Sequence, residues 1–142
     1  MKKVAVFTGT RAEYGLLSLL LKGLQESDKI ALQLFVGGTH LLPEFGYTIS
    51  HIINDGFEVT EQLDFLVNAD SAQAVNKSMA QAQILAGECF VKYQPDLIII
   101  LGDRYEALAV ASAATIIGIP IAHIHGGEIT EGAYDDAIRH AI

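Results

Sequence analysis

Three times in this 142-residue chain an apolar run breaks off at a glycine beside charge. Val4-Ala5-Val6-Phe7 leads into Thr8-Gly9-Thr10-Arg11. Leu97-Ile98-Ile99-Ile100-Leu101 leads into Gly102-Asp103-Arg104. The apolar stretch 116–122 leads into His123-Ile124-His125-Gly126-Gly127-Glu128. Runs that do not alternate polar with apolar read as strands covered on both faces. Helical periodicity fills the intervals between them. Strand and helix alternating at this spacing predict an α/β fold, a Rossmann-like doubly wound parallel sheet. In strand order 3-2-1-4-5 the tips of the first, fourth and fifth strands lie side by side. Ligands of such sheets bind in the crevice at the carboxyl ends of the strands.

The remaining elements follow from the same signals. Thr10 stands at an N-cap position with Glu13 three residues on, the spacing of a capping box. Leu16, Leu17, Leu20, Leu21 and Leu24 then recur at helical spacing. Residues 30–36 read as a second strand. Pro43 starts a helix whose apolar face is Phe45, Ile49, Ile52 and Ile53, stopped at Asp55-Gly56. A short strand is expected within 57–63. A long helix covers 71–92, with Ala72, Val75, Met79, Ala82, Ala86 and Cys89 on one face. The helix 105–117 is alanine-rich, which lets it lie close to the sheet. Asp135 is read as the N-cap of a last helix with Asp136 in its first turn. That helix has run only a few residues when the sequence stops at Ile142, so the natural chain is expected to continue.

Hydrophobic residues make up 51% and charged residues 18%, a globular composition. The net charge of −8 argues against nucleic acid or an anionic membrane as partner, since both call for a basic face. A small phosphorylated ligand needs only a few placed arginines and backbone N–H groups. No apolar run reaches the roughly 18 residues of a membrane helix. The single cysteine, Cys89, fits a reducing cytoplasm and reads as a small apolar residue on a helix.

The strand tips carry the candidate chemistry. Arg11, at a helix start beside Gly9, suits a diphosphate; the alternative is simple pairing with Glu13 or Glu44. The segment is neither a Walker loop nor Gly-x-Gly-x-x-Gly. Asp103 follows a buried strand, where apolar walls suit an acid or base; the alternative is a helix cap. His125, Glu128 and Asp135 add titratable groups in and beyond a glycine-rich loop. Their spacing matches no standard metal-ligand set, so no metal is expected. His123 and His125, two apart on a strand, are expected to share a face, with His123 the deeper.

In series, Gly9-Thr10-Arg11-Ala12-Glu13-Tyr14-Gly15, Leu101-Gly102-Asp103-Arg104-Tyr105-Glu106-Ala107, and His123-Ile124-His125-Gly126-Gly127-Glu128 followed by Tyr134-Asp135-Asp136-Ala137-Ile138-Arg139-His140 resemble one family. It is the hydrolysing UDP-N-acetylglucosamine 2-epimerases of sialic acid biosynthesis. The resemblance spans the whole chain. It implies two Rossmann-like domains around a cleft, the glycosyltransferase-B arrangement. Residues 1–142 would be the N-terminal domain, and a C-terminal UDP-binding domain would lie outside this chain. It implies conversion of UDP-N-acetylglucosamine and water to UDP and N-acetylmannosamine, by loss of UDP to a 2-acetamidoglucal and then hydration. It implies no redox cofactor and no metal, a UDP-sugar as partner, a cytoplasmic enzyme and a homodimer of the complete protein.

Carried over by motif, Arg11 contacts the diphosphate and Asp103 is an acid or base oriented by Arg104. Glu128 and Asp135 are further acid/base candidates, and Arg139 and His140 line the cleft. Many relatives have glutamate where this chain has His125, so either His125 or Glu128 takes that role here. UDP-linked diacetamido-trideoxy sugars are an alternative substrate. A nucleotide-sugar-binding domain without chemistry and a glycosyltransferase of the same architecture are further readings.

Overall fold

The computed structural model describes residues 1–42, 48–67, 70–126 and 135–142, with 135 and 136 described by backbone alone. Its elements are β1 (Lys2–Thr8), α1 (Arg11–Glu26), β2 (Ile30–Gly37), a 3-10 turn (Gly38–Leu41), α2 (Ile49–Asn54), β3 (Glu61–Leu63), α3 (Ala72–Tyr93), β4 (Leu97–Leu101), α4 (Tyr105–Ile117), β5 (Ile121–Ile124) and α5 (Asp135–Ala141). The five strands pair in the order β3-β2-β1-β4-β5, and every pairing is parallel. This is the doubly wound sheet that the alternating elements predict.

Strand alternation divides the core into two layers. Ala5 and Phe7 of β1, with Ile98 and Ile100 of β4, pack against α3 and α4. Val4 and Val6, with Ile99 and Leu101, pack against α1 and α2. Both faces of the central strands are therefore apolar, which is why these segments show no alternation in the sequence. All five alanines of α4 at 107, 109, 111, 113 and 114 are buried, and α4 packs along α3. Cys89 is free and buried within that layer.

Several boundaries and faces differ from expectation. The expected start at Pro43 falls in 43–47, outside the described residues; α2 begins at Ile49 and buries Ile49 and Ile52 while Ile53 is exposed. α1 buries Tyr14, Leu17 and Leu21 but exposes Leu16 and Leu20. The helix contacts the sheet along a narrower stripe than five leucines imply. β3 is only three residues long at the sheet edge, joined to β2 at Phe35–Gly37. Asp135 is the first helical residue of α5 rather than its cap.

β5 ends at Ile124, and His125 turns out of the strand with φ 63°. The two-residue alternation therefore stops before His125, and His123 and His125 do not present as one strand face. No helix among the described residues is long and apolar enough to cross a membrane.

Candidate active site

The turn after β1 is built by close approaches. Thr10 caps α1 by accepting the Glu13 N–H at 3.2 Å. Gly38, at φ +62°, lies so near this turn that a Cβ there would sit 2.4 Å from the Gly9 carbonyl oxygen. A Cβ on Gly9 would sit 3.1 Å from Oε1 of Glu106. Glycine at both positions brings the β1 tip against β2 on one side and α4 on the other.

His40 fastens the same turn from beneath. It is fully buried, with Nε2 2.9 Å from Thr8 Oγ1 and Nδ1 2.6 Å from Thr48 Oγ1. Thr8 donates its one hydroxyl proton to Thr10 O. Nε2–H of His40 therefore donates to Thr8, and Nδ1 accepts from Thr48. Burial lowers the pKa of His40 to about 4, so the ring is neutral near pH 7. Tyr14 packs edge-on to His40 and donates to Asp55 Oδ2 at 2.5 Å.

At the β4 tip, Gly102 takes φ +84°. Its carbonyl is 2.6 Å from Nε2 of His123, which ties β4 to β5. His123 is thus a hydrogen-bonded, half-buried structural residue, as its depth in the strand suggests. Gly126 is packed so closely on this ring that a Cβ there would lie 2.5 Å from Nδ1.

Asp103 does not cap α4. Arg104 holds the cap position, and Asp103 accepts instead from Arg139 of α5 in an ion pair. Arg104 Nε pairs with Glu106 Oε1 at 2.7 Å. Glu106 is 2% exposed and Arg139 8% exposed, so both pairs reach into the protein.

These groups surround a cleft of about 420 Å³, lined by Thr10, Ala12, Glu13, Leu16, Leu101, Gly102, Asp103, Arg104, His125 and Arg139. It opens between the tips of β1 and β4, where the sheet order reverses, the crevice in which doubly wound sheets bind ligands. Of the sequence candidates, Asp103, Arg104, His125 and Arg139 meet there.

Arg11 starts α1 with its side chain exposed, and the helix turns Ala12, Glu13 and Leu16 into the cleft instead. The alternative pairing with Glu13 is not made, and Glu44 lies outside the described residues. His140 is exposed and outside the lining, because adjacent helical residues point about 100° apart and Arg139 takes the inward direction. Glu128 lies outside the described residues. Of Asp135 only its place at the start of α5 is described.

In the sequence Glu13 reads as half of a capping box, and Glu106 carries no role of its own. Glu13 is buried, and its pKa is pushed up to about 8. Burial is the main cause; Glu106 and Asp103 add to it, and Arg104 and the Gly9 N–H oppose it. The signal available in the sequence was a glutamate one turn into a helix whose neighbours are apolar. The spacing that suggested a cap also directs residue 13 inward.

The family model described as UDP-N-acetylglucosamine 2-epimerase matches residues 22–142. A GDP/UDP-N,N'-diacetylbacillosamine 2-epimerase (hydrolyzing) of Campylobacter jejuni is 40% identical over 99% of this chain and 36% of its own. The polysialic acid biosynthesis protein P7 of Escherichia coli is 42% identical over all of this chain and 36% of its own. A UDP-N,N'-diacetylbacillosamine 2-epimerase (hydrolyzing) of Legionella pneumophila is 41% identical over all of this chain and 37% of its own. The chain thus spans little more than a third of the length of these relatives. A crystal structure of UDP-GlcNAc 2-epimerase from Neisseria meningitidis bound to UDP-GlcNAc shares the fold, with a TM-score of 0.82 and 21% identity over 99% of this chain and 37% of that one. By the match of the family model over most of its length, this chain belongs to the UDP-N-acetylglucosamine 2-epimerase family.

Proposed function

We propose that the chain is the N-terminal domain of a two-domain hydrolysing 2-epimerase that takes a UDP-linked 2-acetamido sugar. The observation that carries this reading is the convergence of Asp103, His125, Arg104 and Arg139 on one cleft at the switch point of the sheet. A second domain closes that cleft and supplies the remaining uridine contacts.

The reaction requires three things of the site. A base takes the proton from the second sugar carbon. The anomeric C–O bond then breaks, and UDP leaves with the electron pair, giving the 2-acetamidoglucal. Water adds to the anomeric carbon, and a proton returns to the second carbon on the opposite face. Inversion therefore needs proton-transfer groups on both sides of the ring. Asp103, paired with Arg139, serves on one side. His125, which lines the same cleft, serves on the other, and Glu128 and Asp135 are the further candidates. Arg104 orients the site and stabilises the departing diphosphate.

UDP-N-acetylglucosamine is the substrate of the first reading, giving N-acetylmannosamine. A UDP-linked diacetamido-trideoxy sugar is the second, favoured by the names of the Campylobacter and Legionella relatives.

Proton NMR of the complete protein with each sugar in deuterated water tests both. The expected result is UDP together with a 2-epimerised free sugar carrying deuterium at the second carbon. Release of UDP without deuterium there sinks the elimination route, and whichever sugar turns over decides the substrate. Asp103→Asn in the complete protein is expected to lower turnover by about 10²–10⁴-fold with UDP still bound. An unchanged rate would remove Asp103 from the chemistry.

A further inference from the structure

Three carboxyl groups gather at the β1–β4 crevice, and two guanidinium groups answer them. Arg139 takes Asp103, and Arg104 takes Glu106. Glu13 is the odd one. It is 9% exposed, it lines the cleft, and its Oε1 has no hydrogen-bond partner among the described residues.

Among the described residues, the groups facing Glu13 do not supply a cation of its own. From α4 comes Glu106, and from the β4–α4 turn come Asp103 and an Arg104 already engaged by Glu106. From the β1–α1 turn comes the Gly9 amide. His125 and Arg139 border the same cleft, with Arg139 on Asp103. A buried acid next to two carboxylates, with the nearby cation shared, is most stable as the neutral O–H form.

We propose that Glu13 keeps its proton and acts as a neutral hydrogen-bond donor to a phosphate oxygen of the nucleotide sugar's diphosphate. This rests on the reading of the cleft as a UDP-sugar site. A neutral carboxyl offers an O–H to an anionic oxygen without adding negative charge, and the ionised form presents a lone pair to the same oxygen and repels it. The residue is therefore a ligand-binding group whose protonation is linked to affinity. Its titration near pH 8 places that linkage just above neutrality.

The test uses the complete protein and UDP as probe, with affinity measured by calorimetry from about pH 7 to about pH 9. The wild type is expected to lose affinity above pH 8, approaching about tenfold per pH unit. Glu13→Gln, whose amide still donates, is expected to flatten that dependence. Titrations of the phosphate and uracil are common to both proteins and cancel in the comparison. The same fall in both proteins, or in neither, overturns the role of Glu13 and leaves the UDP-sugar reading standing. Failure of the wild type to bind UDP at any pH overturns both.

Should the variant not fold, wild-type binding at about pH 9 in two buffers of different ionisation enthalpy gives the proton count directly. Uptake approaching one proton per UDP is expected, and none sinks the proposal.

Discussion

Two buried titratable side chains act on stability in opposite directions. The pKa of His40 is lowered from 6.5 to about 4, so the unfolded chain binds its proton more readily than the folded one. Stability from His40 is fully present above about pH 6.5 and is lost as the pH falls toward 4. The pKa of Glu13 is raised from 4.5 to about 8, so here the folded chain holds the proton more tightly. Stability from Glu13 is present below about pH 4.5 and is lost as the pH rises toward 8. The two trends oppose each other between about pH 4.5 and 6.5, and Glu13 acts alone above that. Urea unfolding at pH 6.5 and at pH 8 is expected to show wild-type stability falling by about 1–2 kcal/mol, with Glu13→Gln nearly level. A wild type as stable at pH 8 as at pH 6.5 would mean that Glu13 ionises freely in the fold. Tyr14 offers a simpler test. Its hydroxyl reaches Asp55 across the α1–α2 layer, and Tyr14→Phe is expected to cost about 1–2 kcal/mol in the same assay.

Among the elements, α4 shows how far small side chains set a distance. Ala109 and Ala114 have no exposed surface between the sheet and α3. Ala114→Leu is expected to destabilise by about 1–3 kcal/mol, because the added atoms must push α4 away from its neighbours. A neutral result in thermal unfolding would mean that the layer is loose. This crowding is legible in the sequence, because alanine in a helix flanked by apolar strands has few other purposes. The strand order is legible for a similar reason, since crossovers of this length leave few parallel topologies. What the sequence hid were the ends of elements and the directions of single side chains. Leu16 and Leu20 fit the helical period yet fall outside the stripe that meets the sheet. His125 fits the strand period yet lies past the last strand residue. Asp103 has the chemistry of a cap but pairs with Arg139, 36 residues on. Local preference loses in that case to a tertiary partner, and no spacing rule contains that partner.

For the molecule as a whole, the described residues give the cleft one built wall. Residues of α1, β4, α5 and the turns after β1, β4 and β5 line it, while Leu16 at its rim is 71% exposed. A reaction that eliminates UDP must keep water from the ring until the leaving group has gone, and an open crevice does not do this. On the two-domain reading, the isolated chain is expected to release no UDP from a UDP-sugar, and a chain of the relatives' length is expected to do so. A coupled assay for UDP on both proteins separates the cases. Turnover by the short chain would mean that this crevice suffices by itself. In the longer protein, substitution of Leu16 by aspartate is expected to raise KM with little effect on the fold, since the side chain already faces outward.

The left-handed backbone at His125 bears on how this protein could be altered. A side chain in that region carries about 1 kcal/mol of steric cost that glycine avoids. A programme selecting for heat tolerance would be drawn to glycine at position 125, and its best-surviving clones would lack the imidazole at the mouth of the crevice. On the proposed function, robustness and catalysis pull on this position in opposite directions, and an improved melting temperature there would be a warning about lost turnover.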